Sequence, residues 1–302
     1  MFHTLWKKAS RIIVLGSVFF LPEKKKIEIE RRMRGREELR KLKQADAVIV
    51  SFGKSGRTWL RVMLSRFYQV RHGLPESSLI GFDNLHSKNP QIPRLFFTHD
   101  NYLKDFTGNR DSKKDYYPKK VVLLVRDPRD VVVSQYFQWR HRMRPGKKRL
   151  NQYPPHGADV DIFQFALDQD AGLPKIVHFM NQWADEADKL EQLLVVRYED
   201  MRRDTQAVLS RILEFIGTPA TEQEARAAVE FASIENMKKM EQKRTFWLSG
   251  SRMVPGDRKN PDSYKVRRGK VGGYRDYFDD AQVEQIEQYL QQHLRPVFGY
   301  TR

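Results

Sequence analysis

The chain of 302 residues contains no cysteine, which excludes disulfides, thiolate nucleophiles and metal sites built on thiolates. It also lacks a long hydrophobic run. Its most apolar stretch, residues 12–22, is about ten apolar residues long, whereas a membrane-spanning helix needs roughly 18–20. Acidic residues are scarce, because 38 Asp and Glu face 55 Lys and Arg and leave a formal net charge of +17. Such a charge favours anionic partners and carries no information about fold.

The positive charge is concentrated at the N-terminus, where residues 1–45 hold thirteen Lys or Arg against five acidic residues. The apolar stretch 12–22 lies within this basic segment, and three interpretations stay open. It forms a helix on an anionic membrane surface, packs on the rest of the protein, or serves as a targeting signal. We expect residues 1–44 to form this N-terminal segment, and we expect the protein to be cytoplasmic, at the cytoplasmic face of a membrane.

Four short apolar runs without alternation predict strands at residues 46–52, 93–99, 119–127 and 192–200. Uninterrupted apolar strands are typical of a parallel sheet that is buried on both faces. Helical patterns lie between and after them, at residues 57–71, 129–142, 174–191, 203–216 and 280–293. This alternation predicts a three-layer α/β/α fold with a mainly parallel central sheet. Neither a repeat nor a clear linker divides residues 45–302, so we expect one domain there.

Two stretches, 143–160 and 244–275, are rich in basic residues, proline or glycine and have no sustained period. We expect them to be exposed excursions from the domain. Loops of this length in a compact domain usually carry function.

A first candidate anion site is the stretch "SFGKSGRTWL", in which a strand, a loop with two glycines and a helix follow one another. Backbone N–H groups and the start of a helix converge in such a turn and favour an anion. Lys54 adds a positive charge, and Ser55 and Thr58 add hydroxyls. The lysine precedes the second glycine, so the stretch does not match the nucleoside-triphosphate loop Gly-x-x-x-x-Gly-Lys-Ser/Thr.

Two further stretches could bind an anion. In "RDPRDVVVSQY", the predicted strand ends at Arg126, the end at which parallel sheets bind ligands, and Ser134 follows in the next helix. An arginine and a hydroxyl at this spacing can bind one phosphate. In "YKVRRGKVGGY", basic residues alternate with glycines, so the backbone can close on an anion without obstruction by a Cβ atom.

Together and in this order, these stretches resemble the sulfotransferases that use 3′-phosphoadenosine 5′-phosphosulfate (PAPS) as donor. "GKSGRTW" resembles the 5′-phosphosulfate loop of that family, commonly PKSGTTW. "RDPRDVVVSQY" resembles its 3′-phosphate signature, and "RRGKVGGY" its C-terminal RKGxxGDW loop. The resemblance spans residues 50 to about 278 and implies a P-loop-like α/β fold and no metal.

The resemblance also implies roles for individual residues. In the first loop and helix, the donor's 5′ side and sulfonate would contact Lys54, Ser55, Gly56, Arg57, Thr58 and Trp59. The 3′-phosphate would contact Arg126, Ser134, Arg267, Arg268 and Gly269. The adenine would contact Tyr198, Ser233 and Ile234. His99, which ends the second predicted strand, matches the general base of the family, with Asp83, His86 and Asp100 as reserve candidates.

The sequence departs from the family pattern at several positions. Gly53 replaces a proline, and Arg57 replaces a threonine, so a charge stands where a hydroxyl is expected. Phe97 stands where many cytosolic members have a catalytic lysine, which leaves Lys54 as the main cation at the transferred group. Gly273 and Tyr274 replace an Asp-Trp pair.

We therefore predict transfer of a sulfuryl group from PAPS, with adenosine 3′,5′-bisphosphate (PAP) as product and Lys54 and His99 as catalytic residues. The expected acceptor is a hydroxyl, or an amine, of a lipid, a lipid-linked glycan or a carbohydrate, and we expect no nucleic-acid partner. Two alternatives stay open. A small-molecule kinase would share the fold but needs a differently placed loop lysine. A polyanion- or nucleic-acid-binding protein would explain the charge but not the three motifs in this order.

Overall fold

The computed structural model describes residues 16–247 and 253–301. The four strands are β1 (Ala47–Ser51), β2 (Leu95–Thr98), β3 (Lys120–Val125) and β4 (Gln192–Arg197). They pair in the order β2-β1-β3-β4, and every pair is parallel. The helices, in chain order, are α1 (Glu23–Gln44), α2 (Arg57–His72), α3 (Leu103–Thr107), α4 (Pro128–His141), α5 (Pro145–Leu150), α6 (Ile162–Leu167), α7 (Leu173–Asp185), α8 (Tyr198–Arg203), α9 (Thr205–Phe215), α10 (Glu222–Phe231), α11 (Ile234–Lys243) and α12 (Asp280–His293).

The sheet is buried on both faces, and successive strand residues point to opposite sides. Val48 and Val50 of β1 belong to a core with helices α4, α7 and α12. Ala47 and Ile49 belong to a second core with helices α2, α9 and α11. The three-layer α/β/α fold with a parallel sheet is therefore confirmed, and it explains why the strands read as uninterrupted apolar runs.

The strand order determines where a ligand can bind. The chain moves from β1 to β2 on one side and returns to β3 on the other side of β1. A parallel sheet opens a crevice at the carboxyl ends of two strands where the order reverses in this way. The loop at residues 53–56 and Arg126 follow β1 and β3 at this crevice. His99 follows the neighbouring strand β2 directly.

Residues 23–44, which the sequence analysis assigned to the N-terminal segment, form helix α1 and pack on the domain. Arg31 donates hydrogen bonds of 2.9 Å to the carboxylate of Asp105 and to the backbone carbonyls of Asn101 and Leu150. Leu42 is buried. The first residues of the apolar stretch, 12–15, lie outside the described residues. Within residues 16–247 and 253–301, every helix is too short or too polar to cross a membrane.

Several elements differ from the sequence-based prediction. The helices predicted at 57–71 and 280–293 match α2 and α12 closely, but the helix predicted at 174–191 ends at Asp185. The strand predicted at 192–200 ends at Arg197, so Tyr198 begins a helix. The excursion 143–160 contains α5, and α10 and α11 were not predicted. Tertiary packing determines these boundaries more than local propensity does.

Candidate active site

A cavity of about 300 Å³ opens at the carboxyl ends of the strands. It brings together most of the residues that the sequence analysis selected: Lys54, Gly56, Arg57, Thr58, Trp59, His99, Arg126, Ser134, Tyr198, Ile234, Arg267, Arg268 and Gly269. Two selected residues do not line it. Ser55 is buried beneath the loop, and Ser233 caps α11, where its hydroxyl accepts a hydrogen bond of 3.3 Å from the Asn236 backbone.

The first loop has an unusual backbone. Lys54 has φ 74° and Gly56, the N-cap of α2, has φ 89°. A Cβ atom at position 56 would lie 2.7 Å from Cδ2 of Tyr198. Glycine is required there both by conformation and by space. The close approach lets the loop turn directly into α2, whose first N–H groups have no acceptor within the helix and favour an anion.

Lys54 is the cation of this loop. Burial lowers its pKa to about 7, and the neighbouring charges of Arg142, Arg267 and Arg126 contribute to the shift. A lysine in this state is poised between its charged and neutral forms at neutral pH. An anion bound beside it would raise the pKa and restore the positive charge.

Arg126 extends from the end of β3 across the cavity. Its guanidinium donates to the backbone carbonyls of Lys54 at 3.2 Å and Lys270 at 3.1 Å, and it lies 4.3 Å from the centre of the Tyr198 ring. Its Nε atom is buried, with no hydrogen-bond acceptor among the described residues. A buried donor without a partner is costly in a protein interior. Ser134 lines the same cavity from α4.

Two carboxylates hold the C-terminal loop over the cavity. Glu241, which is fully buried, accepts hydrogen bonds from the backbone N–H groups of Lys265 at 2.8 Å and Val266 at 3.0 Å. Asp130 accepts from the N–H groups of Gly272 at 2.9 Å and Tyr274 at 3.0 Å. The segment between these two tethers carries the basic residues of the third motif. The sequence analysis did not select either carboxylate.

The basic residues of this loop point in different directions. The Arg267 guanidinium stacks 3.6 Å above the centre of the Phe137 ring. It also donates a hydrogen bond of 2.8 Å to the Tyr277 hydroxyl. Arg268 is more exposed and pairs with Asp276 at 2.6 Å. At Gly269, which has φ 63°, a Cβ atom would lie 2.7 Å from Cδ1 of Ile234. The loop thus packs tightly against α11.

An aromatic corner closes one end of the cavity. The Trp59 and Tyr198 rings meet edge to face with centroids 6.0 Å apart. The Trp59 indole donates a hydrogen bond of 2.9 Å to the Ala232 carbonyl, and this bond fixes the orientation of the indole. Ile234 lines the cavity beside them. A flat, apolar-walled slot of this kind suits a planar ring.

His99 also lines the cavity. Its Nδ1 atom is 2.7 Å from the Ser51 carbonyl, which can only accept, so Nδ1 carries the proton. Its Nε2 atom lies 2.5 Å from Nη2 of Arg57. Burial and the Arg57 charge lower the pKa of His99 well below its usual value. The imidazole is therefore neutral, with its lone pair at Nε2.

The three reserve candidates for the base do not line the cavity. Asp83 pairs with Arg94 at 3.2 Å, and the His86 ring bonds to the Ile92 carbonyl at 2.7 Å. Asp100 is buried, where it pairs with Lys113 at 2.8 Å.

Further cavity residues come from connecting segments, from the two excursions and, for Lys175, from the helix predicted at 174–191. They are Asn101, Lys147, Asn151, Tyr153, Lys175, Arg202 and Lys265. Four of them follow from the fold of residues 143–160 and its packing on α7, which no local spacing reveals. The one available signal was a basic, proline-containing insertion after an anion motif.

The sequence and structure were compared with those of known proteins. Residues 44–298 match the model of the family described as "Sulfotransferase domain". Similar relatives include 3-beta-hydroxysteroid sulfotransferase of Cavia porcellus, 23% identical over 97% of this chain and 94% of its own. Another is flavonol 3-sulfotransferase of Flaveria bidentis, 25% identical over 82% of this chain and 81% of its own.

Two solved structures share the fold. Mouse sulfotransferase SULT7A1, complexed with PAP, superimposes with a TM-score of 0.55 at 20% identity and covers 86% of this chain and 90% of its own. Retinol dehydratase, in a complex with retinol and PAP, superimposes with a TM-score of 0.54 at 20% identity and covers 83% of this chain and 82% of its own. Since the family model matches more than four fifths of the chain, this protein belongs to the sulfotransferase family, the transferases that use PAPS as donor.

Proposed function

We propose that the protein transfers a sulfuryl group from PAPS to an acceptor hydroxyl, with Lys54 acting at the transferred group and His99 as general base. The observation that carries the proposal is the shared cavity, in which a neutral histidine and a cationic anion-binding loop line one space. General base and charge stabiliser must both reach the reacting group.

The residues present fit the donor. The cavity lining holds ten lysines and arginines and a single carboxylate, Asp130, among the described residues. The buried Nε atom of Arg126 offers a donor to a phosphate, and the close approaches at Gly56 and Gly269 shape the cavity around a ligand. Both solved structures named above hold PAP in this fold. We assign the donor to the residues proposed from the sequence other than Arg57, whose guanidinium contacts His99 instead, with Ser55 and Ser233 acting through loop and helix geometry.

Bound PAPS would supply an activated sulfuryl group, and the protein's own residues would position it and manage charge and protons. The N–H groups at the start of α2 and the Lys54 ammonium would stabilise negative charge on the leaving phosphate. Thr58 would donate a hydrogen bond on the same side. The lone pair of His99 Nε2 would accept the proton of the acceptor hydroxyl, while the Ser51 carbonyl holds the ring in the required tautomer.

The acceptor we propose is a carbohydrate or a lipid-linked glycan rather than an apolar lipid. The cavity lining includes the polar side chains Asn101, Gln138, Asn151 and Tyr153. Asn151 and Tyr153 already bond to other residues of the protein. A polyhydroxylated acceptor can hydrogen-bond to the amides of Asn101 and Gln138, whereas an apolar acceptor cannot. The relatives named for a steroid and a flavonol show that family membership alone does not select the acceptor.

We also propose that the enzyme works at an anionic membrane surface. Phe19 and Phe20 are 75% and 70% exposed, and Lys24, Lys25 and Lys26 follow them. Exposed aromatic rings beside basic residues are typical of interfacial binding. Sedimentation with vesicles containing phosphatidylglycerol tests this, with Phe19→Ala/Phe20→Ala as the variant. Val297→Ala removes an equally exposed apolar group elsewhere and serves as control. Equal sedimentation of all three proteins would contradict the proposal.

Thermal unfolding with PAP tests the proposed function. At about 100 times its dissociation constant, PAP should stabilise the protein by about 2.7 kcal/mol in the absence of Mg²⁺. The same protein should move labelled sulfate from PAPS to a glycan mixture. A shift with ATP and Mg²⁺ but none with PAP would favour a kinase instead.

A further inference from the structure

The Arg57 side chain contacts Nε2 of His99, the atom that accepts the proton in the proposed reaction. The Ser51 carbonyl fixes the proton on Nδ1, so Nε2 holds the only lone pair of the ring. The Arg57 guanidinium lies 2.5 Å from that atom and donates to it. A base whose lone pair already accepts a hydrogen bond cannot take the proton of an acceptor. The contact must open before the reaction.

Positive charge surrounds this contact. Lys147 and Lys265 line the cavity with Arg57, and both add to the field that disfavours a charged His99. Lys147 is exposed at the cavity edge, and desolvation and repulsion by Arg57 lower its pKa. Burial and the charges of Lys54, Arg142 and Arg57 lower the pKa of Lys265 well below its usual value. These residues repel one another in the absence of an anion.

Negative charge is scarce in the cavity lining. Within the described ranges 16–247 and 253–301, the side chains of Lys147 and Lys265 form no ion pair. The one carboxylate of the lining, Asp130, is engaged by the N–H groups of Gly272 and Tyr274 and by Arg126 at 3.4 Å. The donor residues assigned above do not include Lys147 or Lys265. Both amino groups are therefore available to a second ligand, and an anion bound beside them would raise their pKa values and favour their charged forms.

We propose that the acceptor carries an anionic group, a carboxylate or a phosphate, beside the hydroxyl that is sulfated. This inference rests on the proposed function and specifies its substrate class. The anionic group binds Arg57, Lys147 and Lys265, and the Arg57 guanidinium moves from His99 Nε2 to the anion. A bidentate arginine–carboxylate or arginine–phosphate pair is stronger than a hydrogen bond to a neutral ring nitrogen. Binding of the acceptor thereby exposes the base.

The transfer then balances as follows. The acceptor hydroxyl gives its proton to His99 Nε2, and its oxygen forms a bond to the sulfur of PAPS. The bond between that sulfur and the bridging oxygen of the 5′-phosphate breaks, and its electron pair leaves with PAP. A neutral acceptor binds without displacing Arg57 and reacts slowly. Arg57 thus binds the acceptor and controls access to Nε2 of His99.

Matched acceptor pairs test the proposal. p-Nitrophenyl glucuronide has a carboxylate at C6 where p-nitrophenyl glucoside has a hydroxymethyl group, so rates are compared at the ring hydroxyls that both share. Inositol 1-phosphate and inositol differ only in the phosphate. We expect the wild-type enzyme to prefer the anionic member of at least one pair by tenfold or more in kcat/KM. A preference in the first pair identifies a uronic acid as the anion, and one in the second a phosphorylated headgroup. Equal or better use of both neutral members would overturn the proposal.

Arg57→Thr introduces the threonine of the family loop. It tests whether the Arg57 guanidinium blocks His99 Nε2 when no anion is bound. We expect this variant to use the neutral acceptors at least tenfold faster than wild type and to bring the ratio within a pair close to one. In nuclear magnetic resonance titrations, the pKa of His99 should rise in Arg57→Thr and on adding the anionic acceptor to wild type. An unchanged pKa of His99 in both cases would show that Arg57 does not block Nε2.

A binding measurement keeps the test independent of turnover. Calorimetry of the PAP complex with p-nitrophenyl glucuronide or inositol 1-phosphate should show binding that Lys147→Ala weakens about tenfold. Arg149→Ala, on the same short helix but paired with Glu23 at the surface, is the matched control. Absence of PAP binding would refute the proposed function itself. Normal PAP binding without binding of either anion would refute the substrate class alone.

Discussion

Arg142 donates a hydrogen bond of 3.0 Å to the carboxylate of Glu241, and the two side chains are 8% and 0% exposed. The same carboxylate accepts the backbone N–H groups of Lys265 and Val266. One buried ion pair therefore fixes the start of the loop that closes the cavity. Lys265 and Val266 precede the family motif "RRGKVGGY", so this ion pair holds the loop at residues outside the motif.

Glu241→Ala should destabilise the protein by about 3–5 kcal/mol, because it leaves Arg142 buried without its charge partner. It should also weaken PAP binding, since the loop loses its first tether. Urea unfolding and calorimetry measure the two effects. Glu222→Ala, which breaks an exposed pair on α10, should change stability by less than about 0.5 kcal/mol. If Glu241→Ala left PAP affinity unchanged, the loop would not depend on this tether.

Gly56→Ala should abolish PAP binding. The new Cβ would clash with the Tyr198 ring at 2.7 Å in a backbone with φ 89°, so both walls of the donor cavity must shift. Gly73→Ala at the other end of α2 is the matched control, because its φ is 60° but its surroundings are open. We expect that control to lose about 1 kcal/mol of stability and to keep its affinity for PAP. Comparable affinity losses in both variants would point to general backbone strain.

Arg126→Ala should reduce the thermal shift with PAP. A charge-assisted hydrogen bond contributes about 1.5–3 kcal/mol, so affinity should fall roughly 10- to 150-fold. Arg140→Ala is the matched control. Arg140 lies on helix α4 and forms a loose surface ion pair with Asp159 at 3.8 Å. It should bind PAP like the wild type. Retention of PAP binding by Arg126→Ala would contradict the assignment of this residue.

PAP affinity should fall as the pH rises above 7. Lys54 has a pKa of about 7 in the free protein, and a bound phosphate raises it, so binding takes up a proton above that pH. Affinity should then decrease by up to about tenfold per pH unit through this residue, and it should be flat with respect to Lys54 below pH 7. Calorimetry in buffers of different ionisation enthalpy measures the proton directly. Lys54→Met should lower proton uptake, and uptake equal to that of wild type would exclude Lys54 as its source.

His99→Gln should lower kcat by about 10²- to 10⁴-fold and leave PAP affinity unchanged, because general base catalysis contributes in that range. Glutamine retains a side chain of similar reach but cannot accept the acceptor proton at neutral pH. His293→Gln, at the exposed end of α12, is a control for loss of a histidine. Full turnover by His99→Gln would show that another group acts as base.

The parts of the site that follow a strand were predictable from the sequence. Lys54, His99 and Arg126 come directly after apolar runs, and a parallel sheet brings the carboxyl ends of its strands to one edge. The fold class followed from the same alternation of strands and helices. Local pattern was sufficient there because the strand and its loop are adjacent in the chain.

Glu241, Asp130 and Lys147 were not predicted because their roles depend on contacts between distant segments. In the sequence, Glu241 is an ordinary charged residue of a polar stretch, and its full burial arises from packing against Arg142 and the loop at 265–266. Lys147 belongs to a basic insertion that reads as exposed. The departure at Arg57 was visible in the sequence, but its contact with His99 requires the relative positions of α2 and β2.

The loop at residues 265–274 is fastened at both ends by carboxylates, Glu241 at one and Asp130 at the other. A strap closed in this way does not open as a free flap. Movement of either end of the strap would require backbone hydrogen bonds to its carboxylate to break. Glu241 lies outside the cavity lining, so a substitution there would change the mobility of the strap without touching either substrate.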